Sequence, residues 1–297
     1  MITEEFNNKM DALFPNLVNA ADSNGNTLGS ATELWRGVSE KYADSVAKVL
    51  APVKDCIMDV QTDLQIRNAD ACPVVQVEVV ESMGDAVIDG SDWNKSDIKN
   101  KYVDVKLHRV SRPFKLSAYD IMRGERVESK IKTAMEAVAN GVVSLFMQTV
   151  GITGPHQYDA ETFTPEKAVE IGGKFDNGAE TLILNPAFYS KLVPTNGLGL
   201  DPATEGVYGI GHIYKCAVMN DACIIALAKG AVAGAVATPE IIFNKVGQGM
   251  QYLGEIGGIP MVLISTFDYD TQTIKCSVET LAGFAVTDSN KVVALPN

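Results

Sequence analysis

Residues 125–150 read ERVESKIKTAMEAVANGVVSLFMQTV, the longest helical pattern in the chain. Its apolar residues recur every three or four positions and form one face: Val127, Ile131, Ala134, Met135, Val138, Val142, Leu145 and Phe146. Glu128 and Lys132 stand four positions apart, in the order that favours an ion pair. At about 1.5 Å per residue, this helix spans about 40 Å, the length of a domain. We therefore expect the rest of the fold to be built around it.

Two stretches before this helix alternate apolar and polar residues with the period of two that is typical of half-buried strands. Their apolar positions are Val75, Val77 and Val79 in the first stretch and Val103, Val105 and Leu107 in the second. The connection between them is long, rich in Asp, Ser, Asn and Gly, and of a kind that is usually functional or disordered. The pattern predicts a long hairpin. Because two strands alone are marginally stable in water, its apolar side needs a partner surface.

The amino-terminal region predicts two helices within residues 1–52. The second opens with Ser30-Ala31-Thr32-Glu33, the spacing of a capping box, and carries Trp35 in its apolar stripe. Pro52 ends it, because proline disfavours helical geometry in the residue before it. Residues 1–52 contain too few apolar residues to form a hydrophobic core by themselves, so we expect this helical arm to pack on a later part of this chain or on another chain.

Beyond residue 151 the pattern becomes mixed. Helices are predicted to begin at Thr164-Pro165 and Asn185-Pro186, where a capping side chain precedes a proline. Glycine-rich residues 196–211 predict a mobile loop. Strands are predicted at Thr181–Leu184, Ile213–Met219, Cys223–Ala228, Glu240–Phe243, Met261–Thr266 and Thr273–Glu279, with two short ones near Phe284 and Val293. The two strands on either side of residues 267–270 are expected to form a hairpin.

The composition excludes several classes of protein. Hydrophobic residues make up 46% of the 297 positions, which excludes wholesale disorder. The net charge of −12 and the dispersed aromatic residues argue against sequence-specific binding of nucleic acid. The five cysteines lack a CxxC pair and predict free thiols in a reducing compartment. No segment has the roughly 20 strongly apolar residues of a membrane span, so no membrane partner is expected.

The sequence lacks the motifs of the common catalytic sites. It contains no GxSxG, no phosphate-binding GxxxxGK[ST], no HExxH and no GxGxxG after a strand. His108, His156 and His212 lie far apart, without a carboxylate at motif spacing. We therefore expect no catalytic residue, no cofactor and no metal.

One acidic pattern resembles a calcium-binding loop. Asp268, Asp270, Gln272 and Glu279 occupy its positions 1, 3, 5 and 12. Thr273, however, stands where the sharp turn of such a loop requires glycine, and the flanking residues favour strands rather than helices. We interpret the segment as a hairpin with an acidic turn.

The order of these elements resembles that of the major capsid proteins of tailed bacteriophages, whose Hong Kong 97-type fold encapsulins share. Residues 101–107 and 117–121, followed by the helix to Val150, resemble the return strand of the family's extended loop and its spine helix. Residues 182–189 and 258–262 are similar to a short strand with a capped helix and to a late Gly-x-Pro-Val strand of that family.

The resemblance implies an α+β capsid fold with peripheral and axial domains. Its parts are a helical arm at 1–73, an extended loop at 74–116, a peripheral domain with the spine helix at 117–194, an axial domain at 195–257 and a return to the peripheral domain at 258–297. The loop and arm would lie across neighbouring subunits. Inter-subunit contacts are therefore expected at Trp35, Val75, Val77, Val79, Trp93, Val103, Val105 and Leu107. Flexible hinges are expected near Cys72-Pro73 and Ser111-Arg112-Pro113.

The resemblance also implies a function. The chain would assemble in a bacterial host's cytoplasm as pentamers and hexamers of an icosahedral head that encloses double-stranded DNA without reading its sequence. About 70 residues precede the hairpin, fewer than in relatives with a built-in scaffolding segment, so a separate scaffolding protein or none is expected. Portal and decoration proteins would be further partners. The alternatives are an encapsulin-type compartment, a cytosolic enzyme using Cys223 or His212, and another virion component such as a tail-tube protein.

Overall fold

The computed structural model describes most of the chain in thirteen segments. They are residues 31–54, 56–61, 73–82, 99–117, 119–120, 124–151, 163–175, 179–193, 207–217, 224–238, 248–268, 270–271 and 273–295. None of the helices within these segments is both long enough and apolar enough to cross a membrane.

The predicted helices in the described residues are confirmed. They are α1 (Ala31–Leu50), α2 (Gly124–Val150), α3 (Pro165–Gly172) and α4 (Pro186–Leu192). The Thr164 and Asn185 side chains cap α3 and α4 by accepting hydrogen bonds from backbone N–H groups in their first turns. Pro52 lies in a short 3-10 helix directly after α1. The first predicted amino-terminal helix lies outside the described residues.

Twelve strands are present in the described residues. They are β1 (Ile57–Gln61), β2 (Val74–Ser82), β3 (Lys99–Lys106), β4 (His108–Leu116), β5 (Ala179–Leu184), β6 (Ile210–Lys215), β7 (Ile224–Leu227), β8 (Val232–Ala237), β9 (Gln248–Ile256), β10 (Ile259–Asp268), β11 (Thr273–Val286) and β12 (Val292–Leu295). They form two larger sheets and one hairpin.

The larger sheet has the strand order β1-β8-β11-β10-β9, with β4 paired to β11. The pairing is antiparallel except between β1 and β8. A two-residue turn of Gly257 and Gly258, both with positive φ, joins β9 to β10. The predicted hairpin of the late strands is confirmed as β10 and β11.

Helix α2 packs on one face of the larger sheet and forms the main core with it. Phe146 of α2 meets Phe284 of β11 edge to face, with ring centroids 5.3 Å apart. Val46 and Leu50 of α1 are fully buried in the same core, so the described end of the predicted arm packs on its own chain. Lys41 on α1 also donates to Glu128 of α2 at 2.8 Å.

The smaller sheet has the order β12-β7-β5-β6 and forms a second core with α3 and α4. Phe163 and Phe188 meet edge to face in this core, with centroids 5.1 Å apart. Strands β5 and β6 are parallel, and the other pairs are antiparallel. The sheet therefore unites strands from three of the domains predicted from the sequence, because β5, β7 and β12 each fall in a different one. The assignment of these parts to peripheral and axial domains stays a prediction.

Several strand predictions need correction. The residues near Phe284 do not form a separate strand but continue β11, and the strand predicted at 213–219 is observed at Ile210–Lys215. Residues 210 and 211 thus belong to a strand rather than to the predicted loop. Strands β1, β4, β8 and β9 were not predicted, and the strand predicted at Glu240–Phe243 lies outside the described residues.

The predicted hinge at Ser111-Arg112-Pro113 is wrong. These residues lie in the middle of β4, where they pair with Glu279, Val278 and Ser277 of β11. The described part of the hairpin ends at Leu107, and β4 returns the chain to the larger sheet, whose first strand is β1. Pro113 is tolerated because β4 pairs with only one strand among those described, and a proline can occupy the open side of such a strand.

The buried hydroxyl of Thr280 leads to a prediction about stability. Its Oγ1 is buried and has no hydrogen-bond partner within the described parts of the chain, on the β11 face that Val278 and Ala282 present to the main core. Thr280→Val removes this unpaired group without changing the shape of the side chain, so we expect the free energy of unfolding to rise by about 1 kcal/mol. Urea unfolding measures it.

The matched control for this prediction is Thr287→Val. The Thr287 hydroxyl is also buried but lies 2.7 Å from the Gly230 carbonyl oxygen and 3.0 Å from that of Ala231. The same substitution should therefore lower stability by about 1 kcal/mol there. Equal effects of the two substitutions would contradict the argument.

Candidate functional site: the hairpin and its platform

The hairpin of β2 and β3 lies on the face of the larger sheet opposite to α2. Val75, Val77 and Val79 of β2 and Val105 and Leu107 at the end of β3 are all buried there. They contact Leu281 and small residues of β8 and β11, a set that we call the platform: Ala233, Ala235, Ala237, Gly283 and Ala285. The antiparallel register of β8 and β11 places these small residues on one face, because Ala233, Ala235 and Ala237 pair with Ala285, Gly283 and Leu281.

The platform lets the hairpin backbone approach the sheet unusually closely. A Cβ atom at Gly283 would overlap the backbone carbonyl oxygen of Lys106 and would lie 3.0 Å from Val105 Cγ1. Real Cβ atoms do not approach backbone oxygens so closely, so only glycine fits at this position. Gly283 therefore fixes how deeply the hairpin lies on the sheet.

Five of the residues expected at inter-subunit contacts pack against a surface of their own chain, and their contact with another subunit stays a prediction. Val75, Val77, Val79, Val105 and Leu107 already have their partner surface in their own chain, where they are 0–7% exposed. Val103 is partly buried against the same cluster. Trp93 and the side chain of Trp35 lie outside the described residues. The sequence correctly indicated that this face needs a partner but not that the partner is intramolecular.

The opposite face of the hairpin is amphipathic and open. Val74 and Tyr102 are 60% and 64% exposed, the highest exposures among the large hydrophobic residues described. Polar side chains lie between them: the Gln76 amide donates to Asp104 at 3.2 Å, and the Asn100 amide donates to Glu78 at 2.6 Å. Two apolar groups among paired polar ones make this face suited to a protein contact.

Sequence reasoning missed Val74 and Tyr102 as contact residues, although the signal was present. The same alternation that buries Val75 and Val103 turns Val74 and Tyr102 outward. In residues 101–107 the alternation places polar residues on one face, and Tyr102 is an aromatic residue on that face. This exception could have identified Tyr102 as a contact residue.

Asp120 holds the segment between β4 and α2 in place. Its Oδ2 accepts hydrogen bonds from Lys130 Nζ at 2.8 Å and from the Ser117 N–H and Oγ at 2.9 and 2.8 Å. Lys130 also donates to the Lys115 carbonyl oxygen at 2.8 Å. The hydrogen bond from Lys130, followed by that from the Ser117 backbone, lowers the pKa of Asp120 to about 2.

The lowered pKa gives stability a specific pH dependence. The folded protein keeps Asp120 ionised down to about pH 2, whereas an unfolded Asp binds its proton near pH 4, so the stabilisation is complete above about pH 4 and is lost between about pH 4 and 2. Asp120→Asn should lower the free energy of unfolding at pH 7 by about 2 kcal/mol and less at pH 3. Denaturant unfolding at several pH values measures this. Asp44→Asn, which removes an exposed charge from α1, is the control. A pH-independent loss would contradict the argument.

The residues weighed for catalysis or metal binding do not come together in the described structure. Asp268 is ion-paired with Lys275 at 2.7 Å, whereas Glu279 accepts from Arg109 Nε at 2.7 Å. On β10, Asp268 is six residues from Val262, the partner of Glu279, which is about 20 Å along a strand and too far to share a calcium ion. The described residues contain no group of three or more His, Cys, Asp or Glu that could hold a metal ion.

The structure describes the surroundings of one cysteine and one histidine in detail. Burial raises the pKa of the Cys276 thiol to about 12, which disfavours the reactive thiolate form. His212 stacks on Tyr214, the next residue on the same face of β6, with ring centroids 5.8 Å apart. Cys223 and His156 lie outside the described residues.

The comparisons with known proteins find similarity in structure but not in sequence. No protein-family model and no curated protein sequence matches the chain. The structure of a virus-like particle from Pyrococcus furiosus matches with a TM-score of 0.53 and 15% identity, over 90% of this chain and 99% of that one. The SrpI encapsulin of Synechococcus elongatus matches with a TM-score of 0.50 and 11% identity, over 83% and 86% of the two chains. The chain has the Hong Kong 97-type fold.

This confirms the fold that the sequence predicted. The Hong Kong 97-type fold accounts for the order of the described elements, in which a helix and a hairpin precede the long helix and a mixed α and β region follows it. A structure of Mycobacterium phage Che8 is also similar, with a TM-score of 0.46 and 14% identity over 75% of this chain and 84% of that one. The two similarities with TM-scores of 0.53 and 0.50 establish the fold, and function is a separate step.

Proposed function

We propose that the chain is the subunit of a closed protein shell and that its work is self-association rather than catalysis. The observation that carries the proposal is the full-length similarity to the virus-like particle protein, 99% of which is matched. The open face of the hairpin supports it, because Val74 and Tyr102 offer exposed apolar contacts there. Many modest contacts close a shell when symmetry reuses one surface in every subunit.

For the contents of the shell, our first candidate is the double-stranded DNA of a tailed phage. In this case the chain is a major capsid protein of the virion, assembled in the bacterial cytoplasm as pentamers and hexamers with portal, decoration and scaffolding partners. The net charge of −12 fits a container that must not adsorb its contents.

The second candidate is an encapsulin-type compartment that encloses proteins. The observation that favours it is the structural similarity to the SrpI encapsulin, at a TM-score of 0.50. The nucleic acid content of purified particles separates the two candidates. A high ratio of absorbance at 260 to 280 nm that survives nuclease treatment supports the phage head, and particles with co-purifying protein and no nucleic acid support the compartment.

Expression of the full chain, followed by light scattering and negative-stain electron microscopy, tests the proposal itself. We expect closed particles, either alone or with a co-expressed scaffolding protein. A discrete monomer under all of these conditions would contradict shell formation and favour the cytosolic enzyme. The tail-tube alternative predicts open tubes instead of closed particles.

Deletion of residues 82–100 tests the role of the segment that connects the two hairpin strands. The buried residues Val75, Val77, Val79, Val105 and Leu107 remain in this variant, so the root should still cover the platform. We expect a folded chain by circular dichroism that forms fewer than a tenth of the particles. Normal assembly of the variant would show that this part of the loop does not join neighbouring subunits.

A further inference from the structure

The two sheets are joined by two short connections that lie side by side. Residues 228–231 lead from β7 of the smaller sheet to β8 of the larger one, and residues 287–291 lead from β11 back to β12. The Ala228 N–H donates to the Lys291 carbonyl at 3.0 Å, and the Thr287 N–H donates to the Ala231 carbonyl at 2.9 Å. We call this pair of connections the neck.

Thr287 links the two connections of the neck to each other. Its hydroxyl lies 2.7 Å from the Gly230 carbonyl oxygen, within the other connection. Gly230 has a φ of 70°, and a 3-10 turn follows at Ser289–Lys291, so both connections contain irregular backbone. Short irregular segments between packed units are where changes in φ and ψ between domains are absorbed.

Lys101 of the hairpin contacts the neck. Its Nζ donates to the Thr287 carbonyl oxygen at 2.6 Å. Lys101 pairs with Val79 across the hairpin, and Val79 is buried on the platform. The position of the ammonium group therefore depends on the packing of the hairpin root.

We propose that the neck is a hinge between the two sheets and that Lys101 couples its conformation to the packing of the hairpin. When the root lies on the platform, Lys101 reaches Thr287 and stabilises the neck. When the root is lifted, the charged donor leaves with it, and the neck loses a short, charge-assisted hydrogen bond. The coupling is a property of one chain and goes beyond the proposed function, since it holds whether or not the chain forms a shell.

Hydrogen exchange of the full chain, followed by mass spectrometry, tests the coupling in one direction. The backbone amides of Ala228, Ala231 and Thr287 report on the neck, because each donates a hydrogen bond within it. Lys101→Met keeps the aliphatic stem and removes the donor, so we expect these amides to exchange five- to tenfold faster. The matched control is Lys106→Met, the same change at an exposed position of the same strand. Lys101→Arg should restore slow exchange.

The reverse direction is the more demanding test, because a coupling between two elements must be reciprocal. Thr287→Val removes the hydroxyl that links the two connections but leaves the carbonyl that accepts from Lys101. We expect exchange in the hairpin at residues 101–105 to accelerate more than exchange at Leu182 and Leu184 of the second core, whose amides report the loss of global stability. Unchanged exchange in the hairpin, or equal acceleration in both regions, would overturn the proposal.

The outcome is independent of shell formation. All variants are compared in the assembly state that the wild-type chain adopts, and electron microscopy of the same samples records that state. Absence of particles together with the expected exchange pattern would contradict the proposed function and leave the coupling intact. Formation of particles without the expected exchange pattern would support the proposed function and contradict the coupling.

Discussion

Gly283→Ala is expected to lower the free energy of unfolding by about 3 kcal/mol, although it adds a single methyl group. The new Cβ would overlap the backbone carbonyl oxygen of Lys106, which cannot turn aside as a flexible side chain could. The hairpin root would have to rise from the platform, and the buried valines of β2 would lose part of their contacts. Gly283→Val should have a larger effect still.

Urea unfolding measures the loss, and limited proteolysis of β3 shows whether the hairpin is the part that moves. Gly173→Ala is the matched control, because a Cβ there would lie 3.5 Å from the Val169 carbonyl oxygen, an ordinary contact, in a helix terminus with a φ of −70°. We expect that variant to stay within about 0.5 kcal/mol of wild type. If Gly283→Ala were equally mild, the close approach of hairpin and sheet would be wrong.

The parts of the fold that could be predicted from the sequence are those that short-range physics determines. The apolar period of residues 125–150 specifies a helix because each turn places every third or fourth side chain on one face. Thr164 and Asn185 specify helix starts because a capping side chain bonds to N–H groups only three residues away. The β2–β3 and β10–β11 pairs follow from alternation within a single hairpin.

The pairing of distant strands could not be predicted in this way. Residues 231–237, AVAGAVA, contain only two β-branched residues, Val232 and Val236, and no aromatic residue, so the sequence predicted no strand there and placed β8 only within the expected axial domain at 195–257. The structure explains why valine alternates with smaller residues in β8. Val232 and Val236 face the main core, whereas the small side chains between them admit the hairpin. Small residues reveal a close approach only when the approaching element is known.

The candidate site shows the same limit. An amphipathic pattern predicts that the apolar face will be buried, but it does not identify the surface that covers this face. A sheet of the same chain and a neighbouring subunit exclude water from it equally well. Val77 and Val105 were therefore predicted at an inter-subunit contact and are found in an intramolecular one. The residues left for a partner are those that the chain itself leaves uncovered, and in the described part of the hairpin the large hydrophobic ones are Val74 and Tyr102.

The double variant Val74→Ser with Tyr102→Ser is accordingly expected to raise the concentration needed for particle assembly more than tenfold while the single chain stays folded. Both side chains are more than half exposed, at 60% and 64%, so their loss should change the free energy of unfolding by less than about 0.5 kcal/mol. Burial of such side chains between subunits contributes about 1.5–3 kcal/mol each, and every 1.4 kcal/mol corresponds to about a tenfold change in affinity.

Light scattering across a dilution series measures the assembly threshold, and urea unfolding below that threshold measures the fold. The control removes the same two residue types elsewhere, as Val169→Ser with Tyr252→Ser, each of which is 50% exposed. If the open face of the hairpin is the contact, only the first double variant loses assembly. Equal loss in both would mean that general surface hydrophobicity drives association, and no loss in the first would remove the hairpin from the interface, because a shell reuses each contact in every subunit and amplifies even a small weakening.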